Sequence, residues 1–105
     1  MKRKLGLLLS LPPSDSSVAA VHGLAQAALE AGSEVYLYLI DEGVKNVHDP
    51  AYTDLAQLGV KVFVCAYGCQ RHHVSTDTVH PKVSLCGLVV LSGIVEACEP
   101  FLAFT

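Results

Sequence analysis

Strand-like and helix-like segments alternate along the whole chain, and this alternation restricts the possible folds more than any other feature. Five short apolar segments, most of them rich in β-branched, leucine or aromatic residues, have the length of strands. The predicted strands are Lys4 to Ser10, Glu34 to Ile40, Val60 to Val64, Lys82 to Cys86 and Phe101 to Thr105. Such alternation predicts an α/β fold with three layers, α/β/α, around a mostly parallel five-stranded sheet.

Helix signals occupy the connections between these strands. Apolar residues at helical spacing predict a first helix, and an Asp-Pro pair followed later by glycine is typical of a second. A tight turn at Gly68 is predicted to precede a third helix beginning near Cys69. The last connection is apolar and long enough for a mostly buried helix. The predicted segments are Val18 to Leu29, Pro50 to Gly59, the stretch from Cys69, and Leu88 to Glu99.

Composition limits the size and the partners of the protein. A chain of 105 residues predicts one domain spanning residues 1–105. Only 16% of its residues are charged, against roughly 25% in typical globular chains, so we expect surface to be buried between subunits. A net charge of −3 without a basic stripe argues against a nucleic-acid partner. The longest apolar stretch, around Leu85 to Val95, is too short to span a membrane.

The amino terminus resembles a secretory signal, because the basic Met1 to Lys4 precedes an apolar run. We interpret it instead as the first strand. The run is short, Pro12 and Pro13 end it, and its removal would leave the following helix without a strand to pack on. We therefore expect a reducing, cytoplasmic location, in which the four cysteines are free thiols rather than a disulfide framework.

The candidate site follows the third strand. Cys65 is predicted to stand at its carboxyl end, where open α/β sheets place their reactive crevice. Cys69 follows, and the N–H groups at a helix start favour a nearby thiolate. Arg71 supplies a permanent cation, and His72 or His73 can accept the thiol proton near neutral pH. We predict Cys65 and Cys69 as catalytic residues, supported by Arg71, His72 and His73.

Two other functions fit the same residues. Cys65, Cys69, His72 and His73 offer two sulfurs and two imidazoles to a zinc, copper or iron ion, although adjacent histidines on a helix point about 100° apart. A non-catalytic scaffold subunit is the second alternative. Of the remaining cysteines, Cys86 either faces the crevice or packs, and packing is favoured because free cysteine is usually buried.

The residues also carry a family resemblance that covers nearly the whole chain. The matching segments are Leu5 to Ser10, Val18 to Leu29 followed by Ala31 to Val35, Gly59 to Cys65, Arg71 before Val74, and Leu91 to Ala97 with Phe101 to Phe104. In this order they resemble the DsrE/DsrF-like family of sulfur-relay proteins, which includes TusD-type subunits of transfer-RNA thiolation. The resemblance implies a DsrE-like fold and a sulfurtransferase that carries persulfide sulfur on Cys65 between donor and acceptor proteins. It also implies multimers, and we predict a homotrimer or homohexamer without a cofactor.

Overall fold

The computed structural model describes residues 2–105 and contains five strands and four α-helices within them. A 3-10 helix, called η1 here, follows the second strand. In chain order the elements are β1 (Lys4–Leu9), α1 (Ser17–Glu30), β2 (Glu34–Leu39), η1 (Asp41–Asn46), α2 (Pro50–Leu58), β3 (Lys61–Cys65), α3 (Ala66–Arg71), β4 (Ser84–Cys86), α4 (Leu88–Ala97) and β5 (Phe101–Phe104).

The five strands form one sheet in the order β4-β3-β2-β1-β5, and every pair in it is parallel. This confirms the predicted α/β class. The basic and apolar amino-terminal segment is β1, which pairs with both β2 and β5. Its interpretation as a strand is therefore confirmed. β4 begins two residues later than predicted, because only Ser84–Cys86 pair with β3.

Helices α1 and α2 cover one face of the sheet. Alternate residues of the three central strands point towards them, and the hydroxyl of Tyr52 on α2 donates to the Val18 carbonyl of α1 at 2.6 Å. Asp49 caps α2 by accepting the Ala51 N–H at 2.9 Å, as the Asp-Pro pair predicts. The fully buried core on this face includes Leu7, Leu9, Val21, Leu37, Leu39, Tyr52 and Leu55.

Among residues 2–105, α4 is the only helix on the opposite face, and the prediction that this helix is mostly buried is wrong. Ile94 is its one buried residue, whereas Val89 is 88% exposed and Leu88 is 59% exposed. Most residues of this helix are apolar, but a single helix on a sheet can bury only the side that faces the strands. Within this chain an apolar surface on α4 therefore remains open to solvent.

Among residues 2–105, no helix combines the length and the apolar character that crossing a membrane requires.

Candidate functional site

Cys65 ends β3 and at the same time caps α3. Its backbone is extended, and its Sγ accepts the Gly68 N–H at 3.4 Å. The prediction that α3 starts near Cys69 is wrong, because the helix begins directly after Cys65 at Ala66. Gly68 lies inside this helix rather than in a turn before it. The sulfur of Cys65 thus takes the place of the side-chain oxygen that usually satisfies the first N–H groups of a helix.

Gly68 lets α3 pack closely against η1. A Cβ atom at this position would lie 2.9 Å from Cγ1 of the buried Val44 and 3.6 Å from the Cβ of Cys65. Because these contacts leave little room, α3 is fixed against η1 and the Gly68 N–H is held near the Cys65 sulfur. The thiol is itself nearly enclosed, with only 3% of the residue exposed.

Cys69 lies one helical turn beyond Cys65 and is completely buried. Burial raises the pKa of its thiol, and the nearby Cys65 raises it further. A raised pKa keeps the thiol protonated at neutral pH, and the thiolate is the nucleophilic form. The two predicted catalytic cysteines are therefore close together, and Cys69 is held as a neutral thiol.

Cys86 is a third thiol at the same end of the sheet. It is the register partner of Cys65 on the neighbouring strand β4, and it is half-buried. Burial raises the pKa of the Cys86 thiol, while the neighbouring hydroxyl of Tyr38 acts in the opposite direction. Of the two options left open by the sequence, the structure therefore places Cys86 beside Cys65.

Tyr38 on β2 was not identified from the sequence as part of the site. Its hydroxyl donates to the Gly87 carbonyl at 2.9 Å, which ties β2 to the residue that follows Cys86. The pKa of Tyr38 is raised, mainly by burial and then by the neighbouring thiols of Cys86 and Cys65. The phenol therefore stays neutral. The sequence offered one indication of this position. The alternation of side chains along β2 places Tyr38 on the face of the sheet opposite to Leu37.

The three predicted supporting residues have different surroundings. His72 is turned towards η1, where its Nε2 lies 2.8 Å from Oδ1 of Asp41 and its Nδ1 lies 3.9 Å from Oε1 of Glu42. Asp41 adopts a left-handed backbone with φ of 51°, which is uncommon for a residue other than glycine. Arg71 and His73 are exposed at the end of α3. Within residues 2–105, none of the three forms a hydrogen bond with Cys65.

The predicted metal ligands do not converge. Across residues 2–105, no group of three or more histidine, cysteine, aspartate or glutamate side chains is arranged to hold a metal ion. His72 is directed to Asp41 and His73 is exposed, so the two imidazoles do not join the cysteine sulfurs. All four cysteines are free thiols.

Comparison with known proteins agrees with this architecture. The structure of the YchN protein from E. coli is similar, with a TM-score of 0.85, 19% sequence identity, and coverage of 99% of this chain and 100% of that one. This similarity concerns the fold. No curated protein matches the sequence. The family model of the DsrE/DsrF-like family matches residues 3–104, and the chain therefore belongs to the DsrE/DsrF-like family.

Proposed function

We propose that this protein is a sulfur-relay protein that accepts sulfane sulfur on Cys65 as a persulfide and passes it to a partner protein. Membership of the DsrE/DsrF-like family supports a role in sulfur relay. The observation that carries the proposal is the hydrogen bond from the Gly68 N–H to the Cys65 sulfur. A charged acceptor makes such a bond stronger, so the Gly68 N–H is placed to donate to the Cys65 sulfur when it carries negative charge during the transfer.

The reaction begins when the Cys65 thiolate attacks the terminal sulfur of a persulfide on a donor protein. A new S–S bond forms to Cys65, the S–S bond within the donor breaks, and the electron pair leaves on the donor thiolate. An acceptor thiolate repeats this attack on the sulfur held by Cys65. Neither step changes the total oxidation state, so no cofactor is required.

Arg71 and His72 act on this chemistry from a distance. His72 is held by Asp41 on the η1 side of α3, while Arg71 is exposed at the end of α3 and carries a permanent cation there. A cation at this position attracts an anionic persulfide donor, and the effect weakens as salt concentration rises.

Sulfur binding and metal content together test the proposal against its alternatives. Purified protein incubated with inorganic polysulfide should acquire about one cyanide-labile sulfur per chain, as expected for one reactive thiolate. Elemental analysis of the same sample should find metal well below one ion per chain. Stoichiometric zinc, copper or iron without labile sulfur would support the metal-binding alternative. Absence of both would support a scaffold subunit.

We further propose that the chain acts as a single domain in the cytoplasm, as a homotrimer or homohexamer, and exchanges sulfur with donor and acceptor proteins. The support for assembly is the open surface of α4, where Leu88, Val89, Val90 and Val95 are between 37% and 88% exposed. Contiguous apolar surface of this kind is typical of contacts between subunits.

Replacing Val89 with aspartate should break this assembly, because a charge would be buried in an apolar contact. Light scattering should show a multimer for the wild type and a smaller species for Val89→Asp. Ala27→Asp is the matched control, since it adds the same charge to an exposed position of α1 on the other side of the sheet. A wild-type protein that is monomeric at micromolar concentration would contradict the proposed assembly.

A further inference from the structure

Cys86 is a second thiol beside the proposed sulfur acceptor, and three observations place it there. It pairs in register with Cys65 across adjacent parallel strands. Its Sγ lies 3.8 Å from the carbonyl oxygen of Val64, which belongs to the peptide bond leading into Cys65. The phenol of Tyr38 is adjacent to both thiols. The side chain of Cys86 therefore lies against the β3 backbone next to Cys65.

The two cysteines differ in their access to solvent. Cys65 is 3% exposed, whereas Cys86 is half-buried on β4, the edge strand next to β3. A sulfur atom attached to Cys65 would lie in enclosed surroundings. A sulfur atom attached to Cys86 would lie at the open edge of the sheet, where a second protein can approach.

We propose that Cys86 is a second sulfur station, which takes the sulfane sulfur from Cys65 within the same chain and presents it at the sheet edge. This inference rests on the proposed function, since it requires a persulfide on Cys65. In this relay the sulfur leaves the buried Cys65 through Cys86, and Cys86 acts as the thiol that presents it to a partner protein.

The spacing of the strands suits this transfer. Neighbouring strands lie about 4.8 Å apart, and two S–S bonds of about 2 Å placed end to end span about 4 Å. Because Cys86 is the register partner of Cys65, a sulfur atom attached to Cys65 is within the reach of the Cys86 side chain. The Cys86 thiolate attacks the outer sulfur and forms an S–S bond with it, and the original bond breaks with its electron pair on Cys65. The proton lost by Cys86 is balanced by one gained at Cys65, and nothing is oxidised.

Proximity explains why Cys86 acts within the chain but is a poor first acceptor. Its raised pKa leaves little thiolate to attack a donor in solution. A neighbour held in position reacts at an effective concentration far above that of any free thiol. Once deprotonated, a thiolate of higher pKa is also the stronger nucleophile.

Peptide mapping and sulfur extraction test this relay in a Cys98→Ser background, which leaves one cysteine in the carboxyl-terminal tryptic peptide. Trypsin cleavage after Lys61, Arg71 and Lys82 separates Cys65, together with Cys69, in peptide 62–71 from Cys86 in peptide 83–105, and fragment ions distinguish Cys65 from Cys69. After loading with one equivalent of inorganic polysulfide, the sulfur should be found on both peptides. Adding Cys86→Ser should confine it to peptide 62–71 and slow its extraction by cyanide at least about tenfold, because only the enclosed position remains.

The outcomes separate the two proposals. Sulfur on peptide 62–71 alone, with extraction equally fast in the presence and absence of Cys86, would overturn the second station and leave Cys65 as the carrier. A disulfide between Cys65 and Cys86, with sulfide released, would also overturn it, since Cys86 would then remove sulfur instead of passing it on. Absence of sulfur from every cysteine would contradict both proposals.

Discussion

Replacing Cys65 with serine is expected to abolish sulfur loading, lowering cyanide-labile sulfur at least about tenfold below the wild-type level. A serine hydroxyl can still accept the Gly68 N–H, so the cap of α3 and the fold should survive. The hydroxyl cannot form a persulfide. Loading is measured by cyanolysis after polysulfide treatment, and circular dichroism shows that the fold is retained.

Two other cysteines provide controls for this variant. Cys98→Ser removes a thiol of similar burial, at the end of α4, and should load as the wild type does. Cys69→Ser should keep at least partial loading, since the raised pKa of Cys69 makes it a poor nucleophile. Normal loading of Cys65→Ser together with loss of loading in Cys69→Ser would show that Cys69 is the acceptor.

Replacing Gly43 with alanine is expected to lower the free energy of unfolding by about 3 kcal/mol or more, near the upper end for overpacked sites. Gly43 is buried in η1, and an added Cβ would overlap the carbonyl oxygen of Leu9 and lie 2.7 Å from its carbonyl carbon. Backbone atoms at the end of a central strand cannot move aside cheaply. η1 would have to shift away from β1, and the packing of α3 against η1 would be disturbed with it.

The matched control is Gly23→Ala on α1, where no atom lies within 4 Å of the added Cβ. This substitution should raise the free energy of unfolding by about 1 kcal/mol, because alanine favours the helix more than glycine does. Urea denaturation of both variants measures the difference directly. Equal stability of the two variants would show that the close approach of η1 to Leu9 is not maintained in solution.

The layout of the sheet could be predicted from sequence because it depends on local patterns. Apolar runs separated by Asp49-Pro50 and by glycines locate the ends of the strands and helices to within a few residues. The alternation of strands with helices then predicts that the strands form a parallel sheet. The position of Cys65 at the end of β3 follows from the same pattern and is confirmed. The exposure of α4 could not be predicted. An apolar helix has the same sequence pattern whether it is covered by its own sheet or by another subunit.

The contents of the site were less predictable because they depend on contacts between distant segments. Cys86 reaches Cys65 only through the register of β4 on β3, which separates them by 21 positions in the chain but aligns them in the sheet. Tyr38 comes from a third strand, and Asp41 reaches His72 through an unusual left-handed backbone. No local pattern in the sequence encodes these pairings.

The most direct test of the account is mass spectrometry of peptide 62–71 after polysulfide treatment of the wild-type protein, with fragment ions that distinguish Cys65 from Cys69. We expect an added sulfur atom on Cys65 and none on Cys69. An added sulfur on Cys69 with Cys65 unmodified would contradict it, as would an unmodified peptide from protein that binds stoichiometric metal.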